Sequence, residues 1–166
     1  MIQQFKPTFN IHEAVRKALP YMMEMREYFH AHPELSEKEF DTCKTIFQEL
    51  SLMGIEDVKI IAGTGVTGLI RGALPGPVIL LRADIDALPL EEQVDCDYKS
   101  THPGKMHACG HAGHATWLIG AAKILARLTG EFGGCIRFAF QPGEEVGLGA
   151  DTMILEDKVL EEPKID

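Results

Sequence analysis

The sequence predicts an α/β fold, and three observations carry that reading. Helical patterns at 3–4 spacing accompany short strand-like runs along the chain. One run, Val78-Ile-Leu-Leu81, is apolar on successive residues, which suits a central strand covered on both faces. Polar clusters rich in His, Cys and carboxylates stand just past strands or just before a helix, where α/β sheets place their chemistry. At 166 residues the chain is long enough for one domain with a substantial core.

The elements follow in order. Residues 1–10 read as a loose arm. A helix runs from Ile11 to about Ala31, with Pro20 expected to kink it or split it in two. Met22, Met23 and Met25 on it read as core filler. Pro33 ends this segment, and His30 and His32 fit the last turn, where imidazole complements the free carbonyls and the dipole. Ser36 with Glu39 has the spacing of a capping box. The helix behind it carries Phe40, Cys43, Phe47 and Leu50 on one stripe, and Gly54 stops it. Strands are expected at Val58–Ala62, Val66–Arg71 and Val78–Arg82, separated by Gly63-Thr-Gly65 and Pro75-Gly-Pro77. The Gly63/Gly65/Gly68 spacing is no dinucleotide fingerprint, because it precedes a strand instead of opening a helix. Residues 88–105 form a polar, turn-rich excursion. Ala115 to Leu128 is a helix apolar nearly all round, and Cys135–Phe140 is a further buried strand. A short amphipathic segment starts near Ala150.

Composition removes several classes of function. Sixteen basic residues against 25 acidic ones, with a net charge of -9 and no basic run, argue against a nucleic-acid partner. No apolar stretch approaches the ~20 residues of a membrane span, and the N-terminus lacks signal-peptide order. Cys43, Cys96, Cys109 and Cys135 are scattered without scaffold spacing, so a reduced cytoplasm is the simplest compartment. Cys43 and Cys135 belong to apolar elements and read as inert.

Two clusters carry chemistry. Met106-His-Ala-Cys-Gly-His-Ala-Gly-His-Ala115 places His107, Cys109, His111 and His114 around two glycines. Thiolate and imidazole are ligands for zinc and its neighbours, and glycine permits a tight backbone approach. Gln141-Pro-Gly-Glu-Glu145 follows the last strand, and adjacent glutamates at a strand end can divide the roles of metal ligand and general base. Asp84 and Asp86, at i and i+2 after a strand, point to one side and are either site residues or loop caps. Cys109, His111 and one glutamate make a mixed set short of a closed structural zinc site. A nucleophilic Cys109 beside histidines is the competing reading, which leaves Glu144 and Glu145 without a purpose.

The chain closely resembles the amidohydrolases of metallopeptidase family 20, of the aminoacylase, hippurate-hydrolase and auxin-conjugate hydrolase type. The landmarks are HAHPELSEKE (30–39), GTGVTGLI (63–70), LRADIDALPLEE (81–92), PGKMHACGH (103–111) and FQPGEE (140–145). The resemblance implies the N-terminal part of a zinc-peptidase-like catalytic domain, with a mixed, mostly parallel sheet flanked by helices. It implies two divalent ions, zinc or manganese, with Cys109, His111 and Glu145 as ligands. Glu144 is then the general acid/base, and Asp86 orients the site. The substrate would be a small N-acyl amino acid, hydrolysed to a carboxylic acid and a free amino acid.

Two departures from the family pattern stand out. Ala112 occupies a position where the family carries aspartate after the ligand histidine. Residues 1–166 also hold three of the family's usual five ligand positions and no lid or dimerisation domain, the expectation for an incomplete catalytic domain. Reduced activity follows from that expectation. The alternative is an inactive remnant that binds a partner, or half of a split enzyme completed by a C-terminal polypeptide; a homo-oligomer is the other partner expected.

Overall fold

The computed structural model describes residues 9–166, so most of the expected N-terminal arm lies outside the described residues. Helix α1, Ile11–Ala31, starts at Asn10, whose side chain accepts a hydrogen bond from the Glu13 amide at 3.1 Å. It runs through Pro20 as one helix instead of two. Proline there removes one intrahelical bond, and the packing of Tyr21, Met25 and Phe29 on the core holds the helix across that gap. Met22 lies against Gly120 and Met25 against the core, as filler should, whereas Met23 is exposed.

Helix α2, Phe40–Leu52, buries Cys43, Ile46 and Leu50 and leaves Phe40 exposed. The expected capping box is not formed. The Glu34 carboxylate, from outside the helix, accepts the Asp41 and Thr42 amides at 3.2 and 2.8 Å. Ser36 and Glu39 are drawn elsewhere by stronger tertiary partners. Ser36 Oγ donates to Asp86 at 2.7 Å. The fully buried Glu39 accepts from Thr64 Oγ1 at 2.5 Å and from the Gly143 amide at 2.9 Å.

Four strands form one mixed sheet in the order β1-β2-β4-β3: β1 Glu56–Ile61, β2 Gly65–Arg71, β3 Leu74–Asp84 and β4 Gly133–Gln141. Only β3–β4 is parallel; β1–β2 and β2–β4 are antiparallel, so the expected mostly parallel sheet is corrected for the described residues. For β1–β2 the cause is the tight Ala62–Thr64 turn, which folds β1 back on β2 as a hairpin, with Gly63 at φ 74°. The β3–β4 crossover carries α3, His111–Leu125, the connection a parallel pair requires.

The apolar run of β3 is likewise not central. Among the described residues β3 is an edge strand, and Ile79 is 51% exposed. Edge position explains how Pro75 and Pro77 lie inside β3, at an irregularity in its register with β4. One face of the sheet packs on α1, α2 and α3 through Phe29, Ile46, Leu50, Val66, Ile119, Phe138 and Phe140. The other carries a smaller cluster of Ala139, Met153 and Val159 with Leu80, supplied by the C-terminal segment. Within that segment Gly149–Asp151 and Thr152–Glu156 are helical. Helix α3 is not covered all round, because Trp117 is 64% exposed. No described helix is long and apolar enough to cross a membrane.

Replacing Glu34 tests the unexpected cap. Glu34→Ala is expected to lower unfolding free energy by about 1 kcal/mol in denaturant titrations. Unchanged stability would show that the carboxylate is not the cap of α2.

Candidate metal centre

Three backbone pieces meet at the C-terminal ends of β3 and β4. The parallel register sets Asp84 beside Gln141, and the Ile85 amide donates to Gln141 O at 3.1 Å. Asp84–Asp86 and Gln141–Glu145 therefore leave the sheet side by side. Helix α3 arrives with its N-terminus at the same place, through Gly110 at φ 94°, a conformation that glycine adopts without steric cost. Gly65 admits the Gln141–Glu145 loop, because a Cβ there would meet Pro142 Cδ at 2.8 Å. His111 is the first residue of α3 and His114 lies in its first turn, so the helix begins earlier than the expected Ala115.

The geometry centres on His111, which is buried. Its Nδ1 lies 3.0 Å from Asp86 O and 3.1 Å from Asp86 Oδ1. Both are acceptors, so in the neutral ring Nδ1 carries the proton and Nε2 presents its lone pair. Nε2 faces Glu144 Oε2 at 3.8 Å, Asp84 Oδ2 at 3.9 Å and Glu145 Oε1 at 4.0 Å. The hydrogen bond to Asp86 raises the His111 pKa against the opposing effect of burial. Burial pushes the Asp86 carboxyl up, yet hydrogen bonds from His111, Ser36 Oγ and the Glu145 amide hold it below the ordinary value. Asp84, also buried, is paired with Arg82 through Oδ1, and its Oδ2 lies 3.3 Å from His114 Nδ1.

Cys109, His111 and Glu145 each place a ligand atom within 4.8 Å of the others, and Asp84, His111 and His114 do the same. Glu145 Oε1 is buried and meets no hydrogen-bond donor. An acceptor left so, beside a thiol and an imidazole lone pair, fits a cation-binding set. The Cys109 thiol is exposed, and desolvation together with Glu145, Glu144 and Asp84 pushes its pKa up. That direction disfavours the nucleophilic reading, which needs a lowered one. Glu144 is half-buried at the rim and open to solvent.

The other candidates fall outside these sets. His107 is buried with neither ring nitrogen hydrogen-bonded, and burial, followed by His30 and His111, pushes its pKa down to about 4. His32 Nδ1 meets Tyr28 O at 2.7 Å, the last-turn role expected of it. His30 instead pairs with buried Glu92 at 2.8 Å, and Glu92 also accepts the Ser100 amide at 2.6 Å. That pair anchors the 88–105 excursion to α1. Ala112 is buried in the apolar core with Phe29 and Ile85, and the His111 ring is oriented by Asp86. Sequence reasoning missed Glu39 and Ser36 as parts of the site's frame, because local spacing explained both as a helix cap.

The strand ends thus bring a thiol, an imidazole and carboxylates within reach of one ion, a donor set that fits a divalent metal. The chain belongs to peptidase family M20/M25/M40, whose match covers residues 80–166. It is 45% identical over 141 residues to IAA-amino acid hydrolase ILR1-like 5 of Arabidopsis thaliana, covering 85% of this chain and 32% of that protein. It is 46% identical over 137 residues to the N-acetyl-L-cysteine deacetylase of Bacillus subtilis, covering 82% of this chain and 33% of that protein. Among solved structures it is similar to the Bacillus subtilis YXEP protein, a dinuclear metal-binding peptidase from the M20 family. The TM-score there is 0.80 at 40% identity, covering 91% of this chain and 41% of that one. The chain spans about a third of the length of these curated relatives.

Asp86 carries a measurable consequence. Asp86→Ala is expected to weaken Zn(II) affinity by ~10–100-fold in competition with a chromophoric chelator, since His111 Nδ1 keeps only the backbone oxygen of residue 86 and loses the carboxylate that raises the basicity of the ring. Wild-type affinity in that variant would remove Asp86 from the site.

Proposed function

We propose that residues 1–166 form part of the catalytic domain of a metal-dependent amidohydrolase acting on N-acyl amino acids. The observation that carries this reading is the convergence of Cys109, His111 and Glu145 within 4.8 Å, with Glu144 beside His111. Similarity to hydrolases of amino-acid conjugates supports it. In this reading Cys109, His111 and Glu145 hold a divalent ion, and the resemblance implies a second. Thiolate and imidazole favour zinc, while the carboxylate also suits manganese. When bound, such an ion supplies Lewis-acid polarisation and lowers the pKa of water to ~7.

The chain's own residues account for proton movement. Asp86 fixes Nδ1–H of His111 and so keeps the Nε2 lone pair toward the centre. Glu144, half-buried and 3.8 Å from that nitrogen, takes a proton from the attacking water, whose oxygen bonds the acyl carbon, and delivers it to the leaving nitrogen as the C–N bond breaks. The amine then departs neutral. In this reading the substrate is a small N-acyl amino acid, and a reducing compartment such as the cytoplasm suits the exposed Cys109 thiol.

The edge strand β3, bonded outward to Asp166 at Val78 and with Leu74 and Ile79 exposed, favours a second reading in which the chain docks a complementing polypeptide or another partner. Assays with N-acetyl and N-benzoyl amino acids separate the two. The resemblance implies five ligand positions and places three of them within residues 1–166, so poor turnover is expected of this segment alone. Addition of a polypeptide carrying the remaining family region is expected to restore turnover. In that complex Glu144→Gln is expected to lower kcat by about 10²–10⁴-fold with metal content unchanged. Equal rates for the wild-type and Glu144→Gln complexes would remove the general acid/base role, and efficient hydrolysis by the chain alone would remove the incomplete-domain reading.

A further inference from the structure

The two donor sets at the centre meet in a single atom. His111 Nδ1 faces the two Asp86 oxygens at 3.0 and 3.1 Å, so only Nε2 is left to bind a cation. That nitrogen has Glu145 Oε1 at 4.0 Å in one set and Asp84 Oδ2 at 3.9 Å in the other. Asp84 Oδ2 in turn lies 3.3 Å from His114 Nδ1, and the His111 and His114 rings stack with centroids 5.4 Å apart. Two N or O ligands about 2.0–2.1 Å from a tetrahedral ion stand roughly 3.3–3.4 Å apart, so either set needs only small movements to close on an ion. An imidazole nitrogen has one in-plane lone pair and binds one ion at a time.

We propose that Asp84, His111 and His114 form a second, thiolate-free cation position that competes with Cys109–His111–Glu145 for His111 Nε2. One chain then holds one ion on His111, at one position or the other. Asp84 is built for the role: it is buried, and Arg82 on Oδ1 turns Oδ2 toward His114. His114 is half-exposed, which leaves the position open to solvent. The proposal rests on the metal-binding reading of the centre given above.

Co(II) titration of the metal-stripped chain tests it, with calorimetry counting ions and near-ultraviolet absorption reporting thiolate-to-Co(II) charge transfer. The wild-type chain is expected to take up one Co(II) with a thiolate band. Cys109→Ala removes an exposed thiol and leaves the core untouched. It is expected to bind one Co(II) still, without the band. Adding His114→Ala or Asp84→Asn to Cys109→Ala is expected to weaken that binding at least tenfold, with circular dichroism reporting that each variant folds. His111→Ala is expected to lose both modes. A folded Cys109→Ala chain that binds no Co(II) would overturn the second position while leaving the first intact. Two ions on the wild-type chain, one of them removed by His114→Ala, would overturn the competition. A wild-type chain that binds none would overturn the metal-binding reading as well.

Discussion

The buried Asp86 carboxylate is the point on which the candidate centre is assembled. Its Oδ1 meets His111 Nδ1 on α3, while its Oδ2 accepts from Ser36 Oγ and from the Glu145 amide. Three segments far apart in sequence are thus joined through one side chain at the end of β3. A carboxylate with almost no exposure carries a large desolvation cost, and only several donors together offset it. Removing any one of them leaves the others to carry a buried charge. The placement of the His111 ring is for that reason coupled to the placement of the loop that carries Glu144 and Glu145.

A second buried carboxylate repeats the arrangement one layer away. Glu39, at the start of α2, holds Thr64 Oγ1 in the β1–β2 turn and the Gly143 amide beside Glu144. The glutamate loop is therefore gripped at two points, Gly143 by Glu39 and Glu145 by Asp86. Backbone amides donate in both cases, so the two glutamate side chains stay available to the centre. Rigid support of this kind is what a site needs when ligand atoms must lie within a few tenths of an ångström of bonding geometry.

How much of this was legible in the sequence follows from the range of each interaction. The helices, the strands and the convergence of the His/Cys stretch with Gln141–Glu145 were readable, because periodicity and motif chemistry are local. The two-layer framing was not. Ser36 and Glu39 have a spacing that satisfies a capping box, and nothing local announces that their partners are Asp86, Thr64 and Gly143. Glu34, the actual cap, sits outside the usual motif because Pro33 and the following turn bring it back over α2. Strand order failed for a related reason: continuous apolarity in β3 signals burial, and burial of Leu80 and Leu81 on opposite faces is compatible with an edge. Family resemblance supplied the roles assigned to Cys109, His111 and Glu145, which periodicity alone left open.

Charge ties the centre's structure to its chemistry. Asp84, Asp86, Glu144, Glu145 and Cys109 surround one imidazole, and among the described residues the cations in contact with this group are Arg82 on Asp84 and the His111 and His114 rings when protonated. Like charges brought together at low dielectric oppose folding unless a counter-charge compensates them. A divalent ion bound only by the folded chain would stabilise it by about 2.7 kcal/mol at a hundred times its Kd. The same acidic crowding favours a cation over a neutral or anionic occupant at this place. The loop that carries Glu144 and Glu145 is meanwhile held from behind by two buried carboxylates, Glu39 on the Gly143 amide and Asp86 on the Glu145 amide.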